Sequence, residues 1–384
     1  MRNVDAAGLG IGDDYPPRIM GVLNVSKESP YKPSVFDDAG AAAEYVDEDL
    51  IGQGADIVDV GLESANKKFE VLSAEQELDR LDTAIEVMES TSGDAIWSIE
   101  TRYHEVADAA LSAGYDMVND ICGFADPEMP RVCEDYDAAV GKMASPPDLE
   151  RPGAVEDVDD IYEALTMNGL TDKTIVDPAF GGWSEDKTLE DDRETFHRLR
   201  EFRGLGQPIL VSINRKNFLR EVAGRDTEGA LPVSLAATSM AVERGAHVIR
   251  THDVAETRDA ALIGAEFARD RLRVDQREDA VGVEELDVTT TREADRHLER
   301  LGGNPDVAAE AVARVFELSG LTAEDRGALR AATADTGVLF VEADDPGRGL
   351  LFGTVGALSA LEPAGAGVST ALDDALAAIG ASVE

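Results

Sequence analysis

Eight short apolar runs, separated by segments of helical periodicity, are the feature that most limits what this chain can fold into. Each run is too short for a helix and ends in a polar or glycine-bearing loop, so the runs are predicted to be β-strands. They cover residues 19–25, 55–61, 95–99, 117–119, 138–144, 174–176, 209–213 and 247–249. Helices are predicted between them at residues 41–50, 73–89, 104–113, 189–202 and 234–244. This alternation favours a (β/α)8 TIM barrel, an α/β fold, with an open doubly wound sheet as the alternative.

The pattern divides the chain into four segments. Residues 1–17 are predicted to be an irregular N-terminal arm, and residues 18–270 hold the barrel. Residues 271–285 are dense in charge and poor in large apolar side chains, which indicates a linker. Residues 286–384 are predicted to form a small C-terminal α/β or α+β domain, in which no chemical motif indicates a function. Its predicted helices are 291–301, 306–318, 323–333 and 368–379, and its apolar runs are 337–342 and 350–361.

The charge balance is strongly acidic, with 78 acidic and 35 basic residues and a formal net charge of −43. Only eight of the basic residues are lysines. This composition suggests a halophilic protein from concentrated salt, where the Debye length falls to about 3 Å and screens the self-repulsion. An ordinary acidic protein is the alternative. In either case the negative field argues against sequence-independent binding of nucleic acid.

Cysteine content and hydropathy bear on the compartment. Two cysteines in 384 residues exclude a disulfide framework and a four-thiolate zinc site. No apolar run reaches the roughly 18 residues of a membrane span, and the N-terminus has no signal-peptide pattern. We therefore expect a cytoplasmic protein without a membrane partner.

Lysines are concentrated after the predicted strands. Seven of the eight lie at or just beyond strand ends, namely Lys27, Lys32, Lys67, Lys68, Lys142, Lys187 and Lys216. Arg215, Arg250 and His252 follow the last two strands. Because strand ends meet at the mouth of a barrel, a cationic rim that binds a phosphorylated substrate is predicted there. The alternative is that loops simply tolerate lysine.

Four carboxylates also come at or near strand ends, within otherwise apolar runs. They are Asp59, Glu100, Asp120 and Asp177. A buried carboxylate needs a partner, and a ligand with adjacent N–H donors, such as an amino-pyrimidinone edge, would be one. Ion pairs with the rim lysines are the alternative.

Successive segments of the chain resemble the signature segments of dihydropteroate synthases, in the same order and spacing. The segments are RIMGVLNVS, GADIVDVGLES, SIET, MVNDICGF, TIVDPAFGGW, VSINRKNF and VIRTHDVAETRDA. The resemblance covers about residues 17–268. It implies a pterin-binding barrel that condenses 6-hydroxymethyl-7,8-dihydropterin diphosphate with 4-aminobenzoate and releases diphosphate, in folate biosynthesis. A homodimer is also implied.

The resemblance also implies roles for individual residues. Asn24 would hold Mg²⁺, the implied cofactor, on the diphosphate, and Arg250 and His252 would bind the leaving diphosphate. Lys216 would bridge the pterin and the reaction centre. The remaining pterin contacts would be Glu100, where the family usually has aspartate, Asn119, Met143 and Asp177.

Two loops depart from the family pattern. The first loop (residues 26–38) and the second loop (residues 62–69) differ from the family sequences, and in the family both close over the aminobenzoate. The departures therefore bear on the acceptor amine and not on the pterin. A pterin-dependent methyltransferase and a non-catalytic pterin-binding protein are the competing interpretations.

Overall fold

The protein is described here by a computed structural model. The structure describes residues 1–25, 34–36, 38–63, 71–181, 184, 186–274, 281–345, 347–361 and 369–383. The chain forms two compact units, Met1–Glu284 and Glu285–Glu384. No helix in the described ranges is long and apolar enough to cross a bilayer.

Eight parallel strands close into a barrel, in which the last strand pairs with both the first and the seventh. The strands are β1 (Arg18–Asn24), β2 (Ile57–Gly61), β3 (Ile96–Thr101), β4 (Met117–Asp120), β5 (Ala139–Met143), β6 (Thr174–Asp177), β7 (Ile209–Val211) and β8 (Ala246–Thr251). The predicted TIM barrel is confirmed, and the open sheet is wrong because β8 closes onto β1.

Helices surround the strands, and each follows a strand in the chain. They are α1 (Ala39–Tyr45), α2 (Ala74–Ser90), α3 (His104–Ser112), α4 (Met129–Asp135), α5 (Val158–Thr166), α6 (Leu189–His197), α7 (Asn217–Ala223), α8 (Leu231–Glu243) and α9 (Val254–Glu266). A π-helical turn at Val46–Ile51 extends α1, and 3-10 turns lie at Leu199–Leu205 and Glu228–Ala230. The sequence prediction omitted α4, α5, α7 and α9. Two of these, α4 and α7, have seven residues each, too few to hold the i, i+3, i+4, i+7 pattern of an amphipathic helix.

The N-terminal residues form a hairpin, not the irregular arm predicted. Val4–Ala6 pairs with Leu9–Ile11 through a two-residue turn in which Ala7 and Gly8 both have positive φ. Such turns usually begin with Asn, Asp or Gly, so Ala7 hides the signal. Buried hairpin side chains join one cluster with floor residues of the barrel: Val4, Ala6, Ile11, Met20, Ile57, Met117, Ala139, Ile175, Leu210 and Val248. The hairpin thus covers the N-terminal end of the barrel.

A charged cluster fastens the segment after this hairpin to the barrel. Asp13 is partly buried and accepts hydrogen bonds from Arg203, at 2.9 Å to Nη2, and from Arg271, at 3.1 Å. His247 accepts from the Ile209 backbone N–H at 3.0 Å through Nδ1, so its Nε2 donates to Asp13 at 3.1 Å. These contacts hold the pKa of Asp13 well below its usual range, although burial acts in the opposite direction.

The second unit contains a three-stranded antiparallel sheet in the order β9–β11–β10. Its elements are α10 (Thr291–Leu301), β9 (Ala313–Ser319), α11 (Ala323–Thr333), β10 (Leu339–Glu342), β11 (Arg348–Thr354), α12 (Val355–Ser359) and α13 (Thr370–Val383). The predicted helix at 306–318 is wrong. A 3-10 turn at Pro305–Glu310 precedes β9, whose Val315 and Phe316 pair with β11, as β-formers do. The predicted linker contains a short ladder between Arg273–Val274 and Val283–Glu284.

Candidate active site

The inward side chains of the barrel change from apolar at the floor to polar at the mouth. Strand residues alternate between the two faces of a sheet. Ile57 lies in the floor cluster, so Asp59, two residues later, also faces inward. The same step leads from Met117 to Asn119 and from Val248 to Arg250. One polar layer therefore crosses the barrel above the apolar floor.

Asp59 lies at the centre of this polar layer and has no solvent exposure. Its Oδ1 accepts from the Ser98 hydroxyl at 2.7 Å. Its Oδ2 accepts from Asn119 Nδ2 at 3.1 Å and from Arg250 Nε at 2.7 Å. Donors from three other strands thus meet at one carboxylate.

Arg250 bridges two carboxylates across the barrel. Besides the bond to Asp59, its Nη2 donates to Glu100 Oε2 at 2.6 Å. Burial lowers the pKa of Arg250, but the carboxylates of Glu100 and Asp59 outweigh it and raise that pKa above its usual value. Burial raises the pKa of Glu100 against the opposing charge of Arg250. Because Nη1 takes part in neither contact, it is the nitrogen that Arg250 offers to a ligand.

Asp177 and Lys216 form a second charged group at the mouth. Asp177 accepts from the Ala179 backbone N–H at 2.8 Å. Burial raises the pKa of Asp177 to about 6, and the charges of Lys216 and Arg250 oppose the increase. Burial likewise lowers the pKa of Lys216, against the attraction of Asp177. The charge of Lys187 also acts on Asp177. Its Nζ lies 2.9 Å from the Ala179 carbonyl oxygen and 3.5 Å from Asp192.

His252 lies beside this group at the start of the loop after β8. Burial, aided by the charge of Arg250, lowers the pKa of His252 to about 3. It is therefore a neutral imidazole near pH 7 and adds no charge to the predicted cationic rim. The adjacent Asp253 is bound by Arg215, with both Nε and Nη2 at 2.8 Å, so Arg215 is neutralised by an ion pair.

Asn24 and Met143 complete the set of predicted site residues. Asn24 ends β1, is buried, and donates from Nδ2 to Ser34 Oγ at 3.1 Å. A Cβ placed on Gly61 would lie 3.0 Å from Asn24 Oδ1 and 3.7 Å from Glu100 Oε1. Met143 is buried and pairs in register with Asp177. The structure thus brings all eight predicted site residues to the mouth; their individual roles stay predictions.

Two residues predicted at the mouth face the other way. Lys142 points to the helix layer, where Nζ donates to the Gly169 carbonyl at 2.8 Å and lies over the Phe124 ring. Asp120 also faces outward and accepts from Phe124 N at 2.7 Å. The prediction used only distance along the chain, whereas strand alternation decides the face. Lys27, Lys32, Lys67 and Lys68 lie outside the described residues, as do most of the two altered loops.

The sequence analysis did not identify Ser98, and it gave Asp59 no specific role. The alternation of side chains could have identified Asp59, because it is a carboxylate at an inward position of an otherwise apolar strand. Ser98 is the residue that pairs with Asp59 on β3. Register, which the sequence alone does not give, is what joins the two.

Comparisons with known proteins agree with this geometry. Residues 20–252, more than half of the chain, match the family model described as pterin binding enzyme. A dihydropteroate synthase of Clostridium beijerinckii is 32% identical over 250 residues, which cover 63% of this chain and 91% of that protein. A solved structure of Xanthomonas albilineans dihydropteroate synthase with 4-aminobenzoic acid is 30% identical with a TM-score of 0.57, covering 68% of this chain and 96% of that one.

A longer relative comes from Haloferax volcanii and is named a probable bifunctional folylpolyglutamate synthase/dihydropteroate synthase. It is 34% identical over 294 residues, which cover 72% of this chain but 34% of that protein. The chain therefore spans about a third of the length of this relative. On the family match and the shorter relatives together, the chain belongs to the pterin binding enzymes and, within them, to the dihydropteroate synthase group of transferases.

Proposed function

We propose that this chain condenses 6-hydroxymethyl-7,8-dihydropterin diphosphate with 4-aminobenzoate to give 7,8-dihydropteroate and diphosphate, a step of folate biosynthesis. The observation that carries the proposal is the polar layer at the barrel mouth, in which hydrogen-bond acceptors for a heterocycle lie beside cationic and N–H donors for an anion. The molecules named in the solved structures of the relatives, 4-aminobenzoic acid and 7,8-dihydropteroate, are the acceptor and the product of this reaction.

The pterin edge is assigned to the carboxylates and amide of the layer. Asp177 and Glu100 offer acceptors to the ring N–H groups, Asn119 adds a side-chain amide, and Met143 packs against the ring. A carboxylate accepts two parallel bonds from adjacent N–H donors, as it does from guanidinium. Because the pKa of Asp177 is about 6, this acceptor is ionised near pH 7.

The diphosphate end is assigned to Arg250 and His252, and Lys216 is assigned to the bridge between the pterin and the reaction centre. When the amine nitrogen bonds to the pterin methylene carbon, the carbon–oxygen bond to diphosphate breaks and the amine loses a proton to solvent. Negative charge grows on the departing oxygen, where Arg250 Nη1 and the neutral His252 stabilise it. An arylamine is neutral at pH 7, so the reaction needs no strong general base.

Mg²⁺ is the cofactor that we propose, and the donor atoms around Gly61 fit it. Asn24 Oδ1 and Glu100 Oε1 both border the space that a side chain at Gly61 would fill. Amide and carboxylate oxygens are ligands that Mg²⁺ prefers. Asn24 would hold the ion, with Glu100 as a second oxygen, and the ion would offset charge on the diphosphate.

The acceptor amine is assigned to 4-aminobenzoate although the two mouth loops are altered. The described ends of the second loop are fastened to the barrel. Glu63 forms an ion pair with Arg102 and accepts from Leu72 N at 2.9 Å, and Tyr103 Oη donates to the Leu72 carbonyl at 2.6 Å. These contacts fix described residues on either side of the altered segment to the barrel.

Release of diphosphate tests the proposal. In molar KCl with Mg²⁺, we expect diphosphate and dihydropteroate to form only when both substrates are present. Release without the amine would indicate a hydrolase and contradict the proposal. Binding of the pterin without any release would favour the non-catalytic protein, and transfer of a methyl group from a methyl-pterin would favour the methyltransferase.

We propose the cytoplasm as the compartment and a second copy of the chain as the macromolecular partner. Cys122 and Cys133 are buried and free, which suits reducing conditions. Helices α8 and α9 and the residue that follows α9 expose large apolar side chains, including Ile263 at 55% and Phe267 at 78%, in a chain of net charge −43. Patches of this kind mark contact surfaces. Sedimentation equilibrium should give the dimer mass; a monomer at all concentrations would contradict this.

A further inference from the structure

Asp59 connects the two halves of the site, although no role above is assigned to it. We propose that Asp59 is the positioning residue that holds Asn119, at the pterin edge, and Arg250, at the diphosphate, in one fixed arrangement. The inference rests on the proposed function. It is carried by one atom, Asp59 Oδ2, which accepts from Asn119 Nδ2 at 3.1 Å and from Arg250 Nε at 2.7 Å.

The contact with Asp59 fixes which end of the Asn119 amide a ligand meets. An asparagine side chain can rotate to exchange its oxygen and nitrogen, and its neighbours decide between the two orientations. Here the nitrogen is bound to a carboxylate, which only accepts, so the oxygen faces away from Asp59. A Cβ on Gly141 would lie 3.1 Å from that oxygen. Glycine therefore leaves the space in which Asn119 presents an acceptor to a ligand N–H.

The same carboxylate fixes the plane of the Arg250 guanidinium. Asp59 holds Nε and Glu100 holds Nη2 at 2.6 Å, so two of the three nitrogens are anchored on two different strands. A planar group held at two corners has one orientation. Nη1 is consequently presented in a fixed direction, and the entropic cost of ordering a long arginine side chain on a diphosphate is already met.

Ser98 in turn orients Asp59 and provides a graded test. Its hydroxyl donates to Asp59 Oδ1 at 2.7 Å, and both residues are fully buried. Ser98 has no role assigned to it in substrate binding. Its removal should therefore loosen Asp59 without deleting a substrate contact.

The experiment measures binding of the pterin diphosphate by calorimetry and the KM of each substrate for the full chain and three variants. In Asp59→Asn, the oxygen that Asn119 and Arg250 share loses its negative charge, and the amide NH2 that replaces the other oxygen forces the Ser98 hydroxyl to accept instead of donate. We expect Kd and KM for the pterin diphosphate to rise at least about tenfold, the scale of a lost charged hydrogen bond, with KM for 4-aminobenzoate within about twofold. Ser98→Ala should change the same constant in the same direction by about threefold.

Asp116→Asn is the matched control. Asp116 is a half-buried carboxylate of the same barrel that accepts from the Trp97 backbone N–H at 3.0 Å, far along the strands from the polar layer. We expect its pterin affinity to equal that of the wild type. A purely structural Asp59 would change both KM values together or neither.

The outcomes separate this inference from the proposed function. Wild-type pterin affinity in a folded Asp59→Asn protein would overturn the positioning role while leaving the reaction intact. If Asp59→Asn does not fold, Ser98→Ala decides, and unchanged pterin affinity there overturns the inference. A wild-type chain that makes no dihydropteroate would instead refute the proposed function, which the calorimetric comparison does not require.

Discussion

The floor and the mouth of this barrel are built on the same strands and both contain fully buried side chains, yet their chemistry is opposite. At the floor, inward residues such as Ile57, Met117 and Leu210 form an apolar cluster closed by the N-terminal hairpin. Two residues further along the strands, Asp59 and Asn119 meet Arg250. Burial alone therefore does not distinguish a stabilising layer from a functional one; the satisfied polar contacts do.

At each end an aspartate accepts hydrogen bonds from several side chains, and the two aspartates differ in what their partners do. Asp13 at the floor binds Arg203, Arg271 and His247, so its contacts join the N-terminal segment to the barrel. Asp59 at the mouth gathers residues whose remaining atoms face the proposed substrates. We infer that losses at the floor lower the free energy of unfolding, whereas losses at the mouth lower substrate affinity.

The largest expected effect on stability comes from a substitution that leaves a cavity at the floor of the barrel. Leu210→Ala removes a fully buried side chain and should lower the free energy of unfolding by about 2–5 kcal/mol. Turnover per folded molecule should stay at the wild-type value, because no floor side chain is assigned a contact with the proposed substrates. Chemical denaturation in molar KCl and an activity assay measure the two quantities. Leu170→Ala, at an exposed leucine, is the control and should change stability by less than about 0.5 kcal/mol. Reduced turnover in Leu210→Ala with an unchanged free energy of unfolding would contradict the distinction between floor and mouth.

A smaller effect is expected at Glu77, which lies between the helix layer and the mouth. Glu77 is buried on α2 and accepts from Thr101 Oγ1 at 2.5 Å. Burial raises the pKa of Glu77 from 4.5 to about 7, the Thr101 bond and Arg102 oppose the increase, and Glu63 and Glu100 add to it. The folded state thus holds a proton that the unfolded state releases above pH 4.5. The contribution of Glu77 to the free energy of unfolding is accordingly fully present below pH 4.5 and is lost as the pH rises to about 7.

Glu77→Gln should remove this decline. The amide oxygen still accepts from Thr101, and no charge has to be buried. We expect the variant to be more stable than the wild type above pH 7 by up to about 3 kcal/mol, with little difference below pH 4.5. Denaturation at a series of pH values measures it. Glu75→Gln, on the exposed face of the same helix, should follow the wild-type profile. Equal pH profiles for Glu77→Gln and wild type would contradict the assignment.

Local pattern was enough to predict the barrel, because eight apolar runs with helical segments between them have few other solutions. The pattern did not predict the N-terminal hairpin, because Ala7 is an unusual residue for that type of turn. It also predicted a helix at residues 306–318, because the alanines there are spaced as in a helix. The same limit applies to the site. Distance along the chain placed Asp177 and Arg250 at the mouth, but only the alternation of strand faces sends Lys142 and Asp120 outward.

Register and burial supplied what the pattern lacked. The meeting of Ser98, Asn119 and Arg250 at Asp59 depends on which residues of four strands lie level, and no single strand contains that information. The neutral state of His252 likewise follows from burial beside Arg250. The polar residues of the mouth could be predicted from the sequence, whereas the fold determines which of them form hydrogen bonds and ion pairs with one another.

Binding of the pterin diphosphate to an Asp177→Asn variant tests the central claim most directly. Asp177 lies at the mouth and is assigned to the pterin edge. Calorimetry in molar KCl should therefore show that Asp177→Asn binds the pterin diphosphate at least about tenfold more weakly than the wild type, the scale of one charged hydrogen bond. Asp116→Asn should bind as the wild type does. Unchanged affinity in a folded Asp177→Asn protein would contradict the account, because the polar layer at the mouth would then not be where the heterocycle binds.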